Sequence, residues 1–304
     1  MTTSTSRPYS GPADLHSMLA LLGITKPAER CGNSPSEVDL RELLALPAVQ
    51  NNTRLWFDAD ARLVGFAFVD HYNNLCFEFD DPGIESEIVA WGVQCIRRAI
   101  EAEGEALTLD ASCGEDNTNC IALLERHGFI RQALRSLHLV CSLHAPIPAP
   151  QLPAGFSIRH VTGEHEVEAL VALHRAAFGT ENMTVEERLA MMRTPEYDAE
   201  LDLVAVAPDG RLAAYCMVSI SQEENARTGR NEGYTDPVAT HPDFRRLGLA
   251  RALLLTGLYA LQQRGIDTAC LGTSDDNVAM QQTALAVGFR VQSTTLWFSK
   301  LVSL

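Results

Sequence analysis

The chain has 304 residues, of which 46% are hydrophobic and 21% charged, and its 24 basic and 39 acidic residues give a formal net charge of −15. This length suits two domains, each able to bury a core of its own. The acidity disfavours general binding of nucleic acid or anionic membrane, no apolar run reaches the roughly 18 residues of a membrane span, and the opening MTTSTSRPYS has no basic-then-apolar signal pattern, so a cytoplasmic location is expected.

In the first half, Asp60-Ala61-Arg62-Leu63 stands between two apolar runs and predicts a hairpin turn. A helix is expected over Ile84–Glu103 and a strand over Ala106–Ala111. At the midpoint, Ala145-Pro146-Ile147-Pro148-Ala149-Pro150-Gln151-Leu152-Pro153 places four prolines in nine residues, which continue neither a helix nor a central strand. A linker over 146–155 is therefore expected between domains 1–145 and 156–304. The second half opens with a strand over Phe156–Val161 and helices over Glu164–Phe178 and Val185–Arg193. Strands Leu201–Ala207 and Leu212–Ser221 follow, joined by a Pro208-Asp209-Gly210 turn. Next come a strand over Glu232–Thr240, a helix over Gly248–Arg264, a strand over Asp267–Thr273, a helix over Val278–Val287 and a closing strand over Phe289–Leu301. The strand-helix-strand run implies a parallel pair within a mixed sheet.

The halves repeat one another. Glu115-Asp116-Asn117 matches Asp275-Asp276-Asn277, Gly128-Phe129 matches Gly288-Phe289 and Pro82 matches Pro242, all 160 positions apart. The hairpin turns at Asp60 and Asp209 stand 149 apart, so the second half carries 11 extra residues. The polar stretch Ser221–Glu232 is their expected place, read as a longer loop. The eight cysteines form no C-x-x-C pair and mostly lie in apolar runs, the pattern of reduced buried thiols, and no metal site is expected.

One segment carries the clearest chemistry. Val238-Ala239-Thr240 runs through a Pro242 turn into Arg245-Arg246-Leu247-Gly248-Leu249-Ala250 and then a long helix. The first N–H groups of such a helix lack intrahelical partners and attract an anion. Gly248 lets that anion approach the main chain, Ala250 keeps the first turn open, and Arg245 and Arg246 add positive charge. A helix that merely opens with glycine beside surface arginines is the blander alternative, and the strand-turn-helix context argues against it.

Arg245-Arg246-Leu247-Gly248-Leu249-Ala250 resembles the Gln/Arg-x-x-Gly-x-Gly/Ala signature of the GNAT superfamily of N-acetyltransferases. Asn277 through Gly288-Phe289 resembles that family's next block. The likeness covers most of Phe156–Leu301, and the first half is similar in architecture. It implies an α/β fold of mixed α+β type: two tandem GNAT-like domains, each a mixed, mostly antiparallel sheet flanked by helices. It also implies acetyl-CoA as cosubstrate. The main chain of Val238, Ala239 and Thr240 would pair with the pantetheine arm, the N–H groups from Arg246 to Ala250 would hold the pyrophosphate, and Asn277 would bond the pantetheine. Asn277 also suits a helix N-cap. In the first half the offset of 160 puts Glu85, Ser86 and Ile88 where Arg245, Arg246 and Gly248 stand, so CoA binding in the usual mode is not expected there.

Amine acetylation needs a base for the amine and a proton for the leaving thiolate. Alternation puts Glu232, Tyr234 and Asp236 on one strand face unless a bulge at Pro237 shifts the register. By resemblance to tandem members Glu232 is the candidate base, and Asp236 is the closer alternative. The family often has a tyrosine acid seven residues after the Asn, where this chain has Ala284, so the leaving thiolate would take its proton from Tyr234, from the substrate ammonium or from solvent. Expected, then, is an N-acetyltransferase acting on a small, cationic amine, without nucleic-acid or membrane partners. The alternatives are a non-catalytic acyl-CoA-binding or regulatory module and, less favoured, a protein lysine acetyltransferase.

Overall fold

The structure is a computed structural model and describes residues 4–25, 37–181, 183–195 and 197–303. Cys31 lies outside them; the other seven cysteines are free thiols, five of them buried. Two compact units emerge. One comprises Met1–Ser136 with Ser293–Leu304, the other Leu137–Gln292.

The first unit contains β1 (Thr5–Pro8), α1 (Pro12–Thr25), α2 (Glu37–Leu43), α3 (Pro47–Asn51), β2 (Thr53–Phe57), β3 (Leu63–Val69) and β4 (Leu75–Phe79). These are followed by α4 (Glu85–Glu103), β5 (Leu107–Gly114), α5 (Thr118–Arg126) and the start of β6 (Ile130–Ser142). Strands β1 to β4 form an antiparallel sheet in chain order. Every residue of β3 is buried because helices cover both faces of this sheet. Phe66 and Phe68 pack with Met18, Leu21 and Leu40 on one side, and Ala67 and Val69 with Ile88, Ile96 and Leu109 on the other. Trp56 and Trp91 are core residues whose rings meet edge to face. Strand β5 pairs antiparallel with Thr295–Val302 of β13 (Arg290–Val302).

The second unit takes in the end of β6, then β7 (Ser157–His160), α6 (Val167–Phe178), α7 (Val185–Met192), β8 (Asp202–Val206), β9 (Leu212–Met217), α8 (Gln222–Thr228), β10 (Glu232–Tyr234) and β11 (Val238–Thr240). It continues through α9 (Leu249–Gln263), β12 (Thr268–Ser274) and α10 (Val278–Ala286). An antiparallel sheet runs β11-β9-β8-β7, while β10 pairs in parallel with β12, which in turn neighbours β6. Leu170 and Leu173 of α6 pack on Val204, Tyr215 and Ala239; Leu253, Leu254 and Leu258 of α9 pack on the opposite face with Leu203, Ala205 and Cys216. The fold is mixed α and β with mostly antiparallel strands, as the sequence predicts.

Three local expectations change. The proline-rich stretch is not a boundary, because 146–155 lies within the second unit, whose core Ile147 and Leu152 join. The Gln262 amide holds this stretch by donating to the carbonyls of Leu143 and Ala145. The final strand, assigned by the sequence to the second domain, contributes Ser293–Leu304 to the first unit. The extra residues after Ser221 form a helix, α8, rather than a loop. Ser221 caps it by accepting from the Glu224 N–H, two glutamates occupy its first turn, and Gly229 ends it at φ 70°.

Candidate functional site

The expected strand Glu232–Thr240 is split. Its first part, β10, lies against β12, with Tyr234 opposite Cys270. Thr235 makes the last contacts, its N–H and hydroxyl both donating to the Cys270 carbonyl at 2.9 and 3.0 Å. Asp236 then accepts the Gly272 N–H at 3.2 Å, and the Asp236–Pro237 peptide is cis. Beyond Pro237 the chain leaves β12 and continues as β11, which pairs only with β9. Among the described residues the outer edge of β11 has no strand partner, which leaves it open to an extended ligand. The same splay exists in the first unit, where Asn74 bridges Asp110 in parallel, each 160 positions before Tyr234 and Cys270.

At the far end of β11 the chain enters the cradle. Arg246 and Gly248 both adopt the left-handed region, at φ 63° and 78°. Helix α9 begins at Leu249 with no side-chain cap, and the first paired N–H of its opening turn is that of Ala252, which donates to the Gly248 carbonyl at 3.0 Å. The N–H groups of Leu249, Ala250 and Arg251 have no intrahelical acceptor. A Cβ built on Gly248 meets no heavy atom within 4 Å. This open, N–H-lined helix start fits a phosphate group. Leu249 is buried and Ala250 half-buried, whereas Arg246 and Leu247 are exposed. Arg245 is engaged elsewhere: its Nη2 donates to the Ala177 carbonyl in the last turn of α6 at 2.9 Å, so its side chain caps a helix end. Asn277 is exposed and caps α10 by accepting from the Met280 N–H.

Glu232 and Tyr234 alternate with Gly233, where a Cβ would overlap Leu261 of α9; the two side chains therefore lie on the face away from that helix. Glu232 forms an ion pair with Arg230 at 3.2 Å and is 16% exposed. Helix α8 clamps its backbone: Asn225 Oδ1 accepts the Glu232 N–H at 3.1 Å and Nδ2 donates to its carbonyl at 2.8 Å. His138 lies nearby, its pKa held down by burial despite the opposing pull of Glu232. The Cys270 thiol is pushed far up by burial, with Glu232 and Asp236 adding to the effect. Both carboxylates thus act on one buried point of β12. Ala284, at the position where a tyrosine acid is usual, is fully buried in the core.

The first unit lacks the cradle. Helix α4 begins at Glu85, 160 positions before Arg245, so it absorbs the residues that form the open turn in the second unit. Ile88 is buried in the core, and Glu85 pairs with Arg126 at 2.6 Å. Asn117 nevertheless caps α5 just as Asn277 caps α10.

Sequence reasoning misses a second group of residues around a partly enclosed cavity of about 50 Å³ next to Pro237. On its wall His174 Nδ1 and the Tyr215 hydroxyl share a 2.7 Å hydrogen bond. Arg188 is buried, paired with Asp202, and donates from Nη1 to Met217 Sδ; Asp202 also accepts from the Tyr197 hydroxyl at 2.8 Å. Nothing in the linear sequence links these residues except the apolar surroundings of Asp202. Among the described residues, no three His, Cys, Asp or Glu side chains are grouped to hold a metal, and no helix is long and apolar enough to cross a membrane.

A splayed parallel pair beside an open helix start defines a class, and the comparisons agree with it. Residues 167–289 match the acetyltransferase (GNAT) family, so the second unit carries a GNAT family domain. A mycothiol acetyltransferase from Kineococcus radiotolerans is 27% identical over 310 residues, covering 97% of this chain and 96% of that protein. A mycothiol acetyltransferase from Thermobispora bispora is 31% identical over 152 residues, 48% of this chain and 50% of that one. Among solved structures, a tandem GNAT protein from the clavulanic acid biosynthesis pathway superposes with a TM-score of 0.73 at 20% identity, covering 99% of both chains. A GCN5-related N-acetyltransferase from Sphaerobacter thermophilus gives 0.70 at 22% identity, covering 99% of this chain and 96% of that one. These structural likenesses establish a shared tandem fold.

Proposed function

We propose that the protein transfers an acetyl group from acetyl-CoA directly to a primary amine of a small, cationic molecule. The observation that carries this reading is the open edge of β11 leading into the unhindered start of α9. Val238, Ala239 and Thr240 offer main-chain groups to the pantetheine arm. The N–H groups from Arg246 to Ala250 hold the diphosphate, and Arg246 screens its charge. Asn277 keeps its amide N–H₂ available while its oxygen caps α10. Bound acetyl-CoA supplies the thioester that the amine attacks.

This chain's own residues handle the protons. Asp236, at the end of the β10–β12 pairing and next to Pro237, takes the amine proton directly or through a water. Glu232, fixed by Arg230 and Asn225, is the alternative base. Tyr234, between them on β10, is the candidate proton donor to the leaving sulfur, since Ala284 has no proton to give. Two carboxylates on the strand that leads to the splay, within an acidic chain, suit a cationic acceptor. Relatives named mycothiol acetyltransferase support a small-molecule acceptor. The first unit serves as a scaffold and leaves CoA to the second.

Isothermal titration with acetyl-CoA, followed by thiol release against an amine panel, is the test. Binding in the micromolar range and turnover abolished by Asp236→Asn or Glu232→Gln are expected. Absence of binding at millimolar acetyl-CoA refutes the reading.

A further inference from the structure

The cavity beside Pro237 is walled on one side by Leu170, Met183, Met191, Met217 and Pro237. Three of these are thioethers, which are flexible and apolar. Its remaining polar lining is already engaged. Arg188 is bound to Asp202, and His174 to Tyr215. Burial, with Arg188 adding and Glu187 opposing, lowers the His174 pKa, which disfavours a second positive charge beside Arg188. No carboxylate is among the lining residues, and Asp202, which pairs with the lining Arg188, is engaged by it. Its lining offers no carboxylate to an ammonium ion, whereas Leu170, Pro237 and the three thioethers offer apolar contact to a hydrocarbon chain.

The direction of the chain selects the occupant. The cradle lies beyond the Thr240 end of β11, and Pro237 immediately precedes its Val238 end. A pantetheine arm running along this edge from the cradle brings its sulfur towards Pro237, which is itself part of the cavity wall. We infer that this cavity is an acyl pocket, receiving the carbon chain of an acyl-CoA thioester beyond its carbonyl and admitting chains longer than acetyl. The inference rests on the CoA reading of the second unit. At roughly 10–15 Å³ per water-sized group, the space of about 50 Å³ holds about three to five such groups. A butyryl chain therefore fits and an octanoyl chain does not.

The test is calorimetric and needs no acceptor amine. The full chain is titrated with CoA and with acetyl-, propionyl-, butyryl- and octanoyl-CoA. Each methylene from acetyl to butyryl is expected to tighten binding about fourfold, the fold-change equivalent to ~0.8 kcal/mol per buried methylene. Octanoyl-CoA should bind no better than butyryl-CoA. Met217→Ala should extend the gain to longer chains and Met191→Phe should confine it to acetyl, with melting temperatures confirming that both variants fold. Equal affinity across the series, with CoA itself binding, overturns the pocket and leaves the proposed function standing. So does a steady gain through octanoyl, which marks an open apolar surface, or a Met191→Phe variant that binds the whole acyl-CoA series as the wild type does, which places the acyl chain elsewhere. Failure of CoA itself to bind removes the proposed function, and the pocket with it.

Discussion

Gly248 and Gly265 share the same backbone dihedral, φ 78°, and neither has a heavy atom within 4 Å of an added Cβ. They flank the same helix, Gly248 before Leu249 and Gly265 two residues after Gln263. Alanine at either position meets the same left-handed penalty, about 1–2 kcal/mol, partly offset by the stiffer unfolded chain. Each variant should therefore lose about 1 kcal/mol and melt about 2–4 °C lower. Only Gly248→Ala places a methyl over the N–H groups at the start of α9. Losing one hydrogen bond to a charged phosphate costs about 1.5–3 kcal/mol, or roughly 10- to 100-fold in affinity. Titration calorimetry with CoA on both variants is the assay. Gly248→Ala should bind CoA at least tenfold more weakly than Gly265→Ala. Equal affinities in the two variants would falsify the assignment of this turn as the diphosphate site.

Asn225→Ala removes both amide bonds that α8 makes to Glu232 and should lower stability by about 1–2 kcal/mol. If the clamp matters to proton transfer, kcat should fall while the Kd for CoA stays unchanged; steady-state kinetics on a turned-over amine decide this. Asp202→Asn strands the buried Arg188 guanidinium and should cost about 3–5 kcal/mol in chemical denaturation, more than replacing the pair by Leu and Met. The Glu166 carboxyl is held down to about 2 by Arg159, with help from Thr162. Its folded pKa lies below its unfolded value, so its stabilisation is complete above about pH 4.5 and is lost as pH falls towards 2. Glu166→Gln should thus destabilise at pH 7 by about 1–2 kcal/mol, discounted because Arg159 is 36% exposed, and the gap to wild type should close in acid.

What could be read in the sequence was local chemistry. Asn117 and Asn277 announce helix caps by their own side chains, and Gly248 announces a left-handed turn before an apolar helix, so the repeat and the cradle are visible without coordinates. Pro237 likewise marks where a ladder must end. The proline-rich stretch misled because proline reports what a segment is not, while Ile147 and Leu152 decide that it packs on a core. Ser221–Glu232 misled because its polarity hid a capped helix whose work is to brace a strand. The Arg188–Asp202 pair and the His174–Tyr215 contact join residues 14 and 41 positions apart on different elements, and no periodicity encodes such meetings. The side chain of Arg245 was legible as a cation but not as a helix cap, since its partner is a carbonyl 68 residues away.

The pairing of β5 with Thr295–Val302 has a temporal consequence. During synthesis the ribosome releases the first unit's helices and all its other strands long before the strand that borders β5. A nascent chain of 145 residues therefore carries a sheet with an exposed edge, and exposed edges recruit other chains. The earlier-made unit is completed last, after the whole of Leu137–Gln292 has emerged. Separate expression of residues 1–145 should therefore yield an aggregating fragment rather than a domain.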